Sequence, residues 1–134
     1  MALPNGTSGY QVGAGNINEA TLIVQGPPLA ITAATATLTG AQLANGLITS
    51  NTSADTVATL PTVADLEAAI NSAVKVNSAF DFSVAVDDTA YQLTLATATG
   101  WTLLGNMVVL ESTGATFRAR KTGDGTWTLY RIAG

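Results

Sequence analysis

The sequence predicts a mainly β protein: a β-sandwich or barrel-like domain with one short α-helix and an extended N-terminal arm. Three observations carry that reading. Short runs rich in Thr, Val, Ile and aromatic residues recur along the chain with the two-residue period of half-buried strands. Turn-forming clusters separate them: Gly26-Pro27-Pro28, Asn45-Gly46, Asp87-Asp88, Ser112-Thr113-Gly114 and Asp124-Gly125. A single stretch, at about 62–75, places its apolar residues at helical spacing.

Residues 1–19 hold Pro4, Gly6, Gly9, Gly13 and Gly15 with no sustained period, which predicts an extended arm, or in the simpler alternative a disordered terminus, ahead of one β-rich domain at 20–134. Fully stretched, such an arm reaches roughly 60 Å at about 3.3 Å per residue, enough to cross a neighbouring subunit. Thr21–Val24 reads as a short strand stopped by Gly26-Pro27-Pro28, and Leu29–Thr39 as a second strand alternating Ala or Leu with Thr. Ala41–Gly46 is either a helical turn closed by Asn-Gly or a hairpin connection, after which Leu47–Thr49 resumes the strand pattern. Val57–Leu60 is another short strand. Pro61 and Thr62 then open the helix, with Thr62 as its cap, Val63, Leu66, Ile70, Ala73 and Val74 on one face, and Lys75 in its last turn.

Beyond Ser78 every element reads as strand. Phe80, Phe82, Val84 and Val86 share one face, and Asp87-Asp88-Thr89 predicts a hairpin into Tyr91–Leu95. Trp101–Leu104 and Met107–Leu110 follow. Ala115–Lys121 and Thr126–Ile132 flank Asp124-Gly125, a strong hairpin signal. Trp-Thr-Leu occurs at both 101 and 127, and both tryptophans are expected in the core.

The chemistry available is narrow. The 134 residues contain no Cys and no His, so thiolate nucleophiles, Cys-ligated metals and the commonest general base are missing. No phosphate-cradling Gly-Lys-Ser/Thr motif and no Gly-x-Ser-x-Gly elbow occurs. Gly13-Ala14-Gly15-Asn16 is a fragment of a dinucleotide pattern without the preceding strand that pattern requires. Asp87-Asp88 could be half of a carboxylate pair or a Ca²⁺ site, against the simpler reading as a turn. The expectation is a protein that is not an enzyme, with no cofactor and no metal.

A net charge of −4 argues against nucleic acid as the main ligand. No run of about 18 apolar residues could span a membrane, and the opening residues do not resemble a signal peptide, so a soluble, unprocessed chain is expected. Charged residues make up 10% of the sequence, against roughly 25% in ordinary soluble domains. Such a surface suits burial in an assembly, so an oligomer or an obligate partner is expected. Four of the five positive charges, Arg118, Arg120, Lys121 and Arg131, fall on the closing hairpin, with Arg118 and Arg120 on one strand face. They could dock a carboxylate-rich partner, meet this protein's own acids across a subunit boundary, or form a solvated face.

Several segments resemble a group of small structural proteins of tailed phages, including those of cyanobacteria. They are Met1–Tyr10, Thr39-Gly40-Ala41-Gln42-Leu43, Leu60-Pro61-Thr62, Phe80-Asp81-Phe82, Thr99-Gly100-Trp101, Ala115–Gly123 and Thr126–Arg131. The resemblance spans nearly the whole chain, but it lies in strands and turns, not in chemical motifs. It implies a virion protein of the capsid decoration or cement type, bound as a homo-oligomer, trimer favoured, to the major capsid protein on the outer surface of the head after synthesis in the host cytoplasm. On that reading the candidate docking residues are Leu3, Tyr10, Val12 and Ile17 of the arm and Arg118, Arg120, Lys121 and Arg131 of the hairpin. The alternative is a tail or fibre component whose Trp101, Tyr91, Tyr130 or Asp87 form a shallow sugar site.

Overall fold

A computed structural model describes residues 22–71 and 73–134. The expected arm at 1–19, with Leu3, Tyr10, Val12 and Ile17, lies outside the described residues. The fold is mainly β, as the alternating pattern predicts. Among the described residues ten strands form two sheets: β1 (Leu29–Ile31), β2 (Thr35–Thr37), β3 (Leu47–Ser50), β4 (Thr56–Thr59), β5 (Ala79–Val86), β6 (Leu93–Ala96), β7 (Trp101–Leu104), β8 (Val108–Val109), β9 (Gly114–Gly123) and β10 (Thr126–Ala133). Two helices, α1 (Gly40–Asn45) and α2 (Val63–Ile70), complete it.

The chain changes sheet at almost every step. The larger sheet runs β1-β3-β5-β9-β10-β7 and the smaller β2-β4-β6-β8. In each of the first three passes a strand of the large sheet is followed by one of the small sheet, and α1 and α2 return the chain after the first two. Successive passes stack in parallel register: Ile48 lies beside both Leu29 and Val84, and Ala58 beside both Ala36 and Leu95. The result is three stacked coils, closed by the antiparallel hairpin β9–β10 between β5 and β7. Alternate residues of each strand point inward, which builds one core between the sheets. Phe82 and Phe117 stack there with ring centroids 5.5 Å apart, and Trp101 and Trp127 lie 6.1 Å apart.

The two Trp-Thr-Leu segments are neighbours in space: Trp101, Thr102 and Leu103 pair in parallel with Trp127, Thr128 and Leu129. Both tryptophans are buried, as expected.

The structure corrects several expectations. The described residues hold two helices, not one. Thr39 and Gln42 form a capping box at the start of α1, and Gly46, at φ +90°, donates its N–H to Leu43 O at the end. Asn-Gly therefore closes a helix here, not a hairpin. Thr62 caps α2 through Asp65 N as predicted, but the helix ends at Ile70 because Asn71 is extended and its Oδ1 accepts from Ala73 N. Lys75 lies past that end.

Leu29–Thr39 is two strands in different sheets, because the chain bends at Ala33-Ala34 and no strong turn residue announces it. The expected hairpin at Asp87–Thr89 is likewise a crossing between sheets. Asp88 accepts from the N–H groups of Thr52, Ala90 and Tyr91 and so directs the chain away from β5. Leu22–Val24 forms no strand and stands exposed. After it, Gln25 Nε2 donates to Asn45 O and Asn45 Nδ2 to Pro27 O, which fix the chain beside the end of α1.

Candidate functional site

The basic hairpin is the one concentration of charge that the sequence offers, and the fold gives each of its cations an internal partner. On β9, Ala115, Phe117, Ala119 and Lys121 point to the core, while Thr116, Arg118 and Arg120 point outward. Arg118 meets Asp81 of the neighbouring β5 in register, with Nε to Oδ1 at 2.7 Å and Nη2 to Oδ2 at 3.0 Å. Those two bonds hold the Asp81 carboxyl below the usual carboxylate range and raise the Arg118 guanidinium above its ordinary value. Arg120 donates to Tyr130 Oη from both Nε and Nη2, and from Nη1 to Asn77 Oδ1.

Lys121 is not a surface group. Its Nζ lies 2.8 Å and 3.2 Å from the two carboxylate oxygens of Glu67 and 3.0 Å from Val74 O, with the two side chains 9% and 14% exposed. The pair fastens α2 and the segment after it to the hairpin. Arg131 Nη1 donates to Asn106 O and Val108 O, and its guanidinium lies over the Phe117 ring. It thereby ties the β7–β8 connection to the large sheet. Two of these cations meet acids of the same chain, Arg118 at Asp81 and Lys121 at Glu67.

The residues proposed for a sugar site do not gather. Trp101 is buried facing the core, with Nε1 donating to Pro61 O at 2.7 Å. Tyr130 is on the outward face of β10, engaged with Arg120. Tyr91 and Asp87 belong to the β5–β6 crossing, where the Asp88 carboxylate is occupied by backbone N–H groups. Among the described residues no group of three or more His, Cys, Asp or Glu side chains is placed to hold a metal ion. No described helix is long and apolar enough to cross a membrane.

Two shallow cavities flank α2. One, of about 450 Å³, is lined by Thr39, Gly40, Thr59, Pro61, Asp65 and Ala69 among others; the other, of about 520 Å³, by Thr62, Val63, Ala64, Glu67, Thr99, Asp124 and Gly125. Among the described residues Asp65 is the one titratable group lining the first, while the second is lined by Glu67, which is bound to Lys121, and by Asp124.

Besides the exposed acids Asp55, Asp65, Asp87, Glu111 and Asp124 and the exposed Lys75, the open surface carries rows of uncharged residues. Pairing brings Thr35, Val57, Thr94 and Val108 into one row on the outer face of the small sheet, with Thr37, Thr59 and Ala96 in the next. On the large sheet Ser83 Oγ and Thr116 Oγ1 lie 3.1 Å apart, near Thr49 and Ala85. These rows are assembled from separate passes of the chain, so no single segment displays them. No protein-family model matches the sequence, and comparison with curated proteins and with solved structures gives no match either.

Proposed function

We propose that the chain is a virion structural protein of the capsid decoration or cement type, a homo-oligomer that binds the lattice of major capsid protein and stabilises a phage head. The observation that carries the reading is where the phage-like segments fall. Thr39–Leu43 is the capping box of α1, Leu60-Pro61-Thr62 leads into the cap of α2, Phe80–Phe82 faces β9, and Ala115–Gly123 with Thr126–Arg131 is the closing hairpin. The resemblance thus lies at positions that determine this fold, which supports a common architecture and, with it, a common role.

The surface chemistry supports it as well. The hairpin cations are spent on internal bonds, and the sheet faces present Thr, Ser and Ala rows suited to broad contact with other subunits. In this role the protein works mechanically: each copy bridges neighbouring capsid subunits, and many weak contacts act together through avidity. Such work needs no acid–base pair and no cofactor.

Cryo-electron imaging of purified virions tests the proposal. Density for this fold at positions of local three-fold symmetry on the shell is the expected result; density confined to the tail would replace it with a tail or fibre role.

A further inference from the structure

We propose that Ile23 and Val24 of one copy form an added edge strand on β7 of a second copy, extending the six-stranded sheet across a subunit boundary. The donor is visible as an anomaly of the monomer. Ile23 and Val24 are β-branched and strand-forming, yet 85% and 100% exposed and in no sheet. They cannot fold back far, because Gln25 and Pro27 are bonded to Asn45 beside β1.

The acceptor is at the opposite edge of the same sheet. From β1 to β7 there are five strand-to-strand steps, roughly 24 Å at about 4.8 Å each, so a segment fixed beside β1 cannot pair with its own β7. Of the four edge strands, β8 has two residues, β1 and β2 have three, and Pro27-Pro28 guards the approach to β1. β7 has four, and no charged residue occurs from Leu95 to Leu110 to repel an incoming strand. Leu104 at its end and Ile132 of the neighbouring β10, each about half exposed, offer apolar contact to Ile23 or Val24.

Donor and acceptor lie on different edges, so the contact is heterologous and propagates around a closed ring or along a fibre. The inference rests on the self-associating half of the proposed function and supplies its geometry.

The chain has no cysteine, so single substitutions report contacts without background. Full-length Val24→Cys and Leu104→Cys are mixed in equal amounts and treated with a short bis-maleimide, which tolerates a one-residue slip in register. A cross-linked pair in the mixture, well above either variant alone, is expected. Ile23→Asp, at an exposed position, should keep the wild-type melting temperature while weakening association at least tenfold in sedimentation velocity. An oligomer that survives Ile23→Asp and gives no mixed cross-link would overturn the strand contact and leave self-association standing. A chain that stays monomeric at the highest attainable concentration overturns both. Cross-linking of Val24→Cys to itself, or on virions to another protein instead of to a second copy, overturns the assignment of the acceptor.

Discussion

Replacing Glu67 with leucine should destabilise the protein far more than a helix-surface substitution does. Lys121 Nζ has three protein oxygens within 3.2 Å, two from Glu67 and one from Val74, and its side chain is 9% exposed. With Glu67 gone the ammonium keeps a single carbonyl in a site that water barely reaches. Breaking a buried pair by removing one partner costs about 3–5 kcal/mol, and the 14% exposure at Glu67 places this case near the lower end. Lys121→Met should cost less, about 1 kcal/mol, because the remaining carboxylate borders the cavity formed with Thr62 and Thr99 and can turn to water. The double variant Glu67→Leu/Lys121→Met should lie within about 1 kcal/mol of the wild type, since no charge is left buried alone. For a domain of this size each kcal/mol moves Tm by roughly 3–5 °C, so Glu67→Leu alone should lower it by roughly 10–15 °C. Thermal and urea unfolding followed by the fluorescence of Trp101 and Trp127 measures all three. A Glu67→Leu protein within about 0.5 kcal/mol of wild type, or single effects that simply add in the double variant, would refute the argument.

The two tryptophans should rank against their burial. Trp101→Phe loses the Nε1 bond to Pro61 O and leaves that carbonyl without this donor, costing about 1–3 kcal/mol, whereas Trp127 Nε1 has no hydrogen-bond partner among the described residues and Trp127→Phe should cost less in the same denaturation assay. Asp81 has a lowered folded-state pKa, so the stability it contributes is complete above its unfolded value near pH 4 and is lost as pH falls through the folded value. Arg118→Gln should raise the Asp81 midpoint toward the ordinary carboxylate range in an NMR titration and reduce that acid-side dependence. Gly40→Ala should destabilise by about 1–3 kcal/mol, because a β-carbon there would stand 2.7 Å from Ala69 Cβ and 2.9 Å from Leu66 Cα, where α1 meets α2. Deleting residues 1–19 should weaken binding to expanded capsids in a co-sedimentation assay while leaving the Tm of the domain unchanged.

Local signals in the sequence were reliable where one residue decides the outcome. Thr62 caps α2, Asp124-Gly125 turns the closing hairpin with Gly125 at φ +69°, and the alternation of Phe80 to Val86 names the buried face of β5. Pairing partners were less legible. Asp87–Thr89 looks like a hairpin because turn chemistry reports a change of direction, not which sheet receives the next strand. The stacking of coils did leave a trace: Thr39-x-Ala41-Gln42-Leu43 and Thr62-x-Ala64-Asp65-Leu66 follow two strands that lie side by side in register. The inward turn of Lys121 was also readable, since Arg118 and Arg120 on one strand face oblige Lys121 to take the other. Its partner was not, because Glu67 is 54 residues away and reaches it only through the packing of α2.

The pairing of the hairpin cations changes what a docking surface on this protein must be. A partner carboxylate arriving at Arg118 would have to compete with Asp81, which already accepts two bonds from the guanidinium; at Arg131 it would have to detach the β7–β8 connection. Lys121 would have to leave the interior. Each competition returns little net free energy, because a bond lost inside the protein cancels the bond gained outside. On the proposed function, contact with the lattice falls to residues 1–19, the Thr and Ala rows of the two sheets and the open edge at β7, beside exposed acids such as Glu111 and Asp124. Contacts of that kind are weak singly, which fits the proposed attachment multiplied over a lattice.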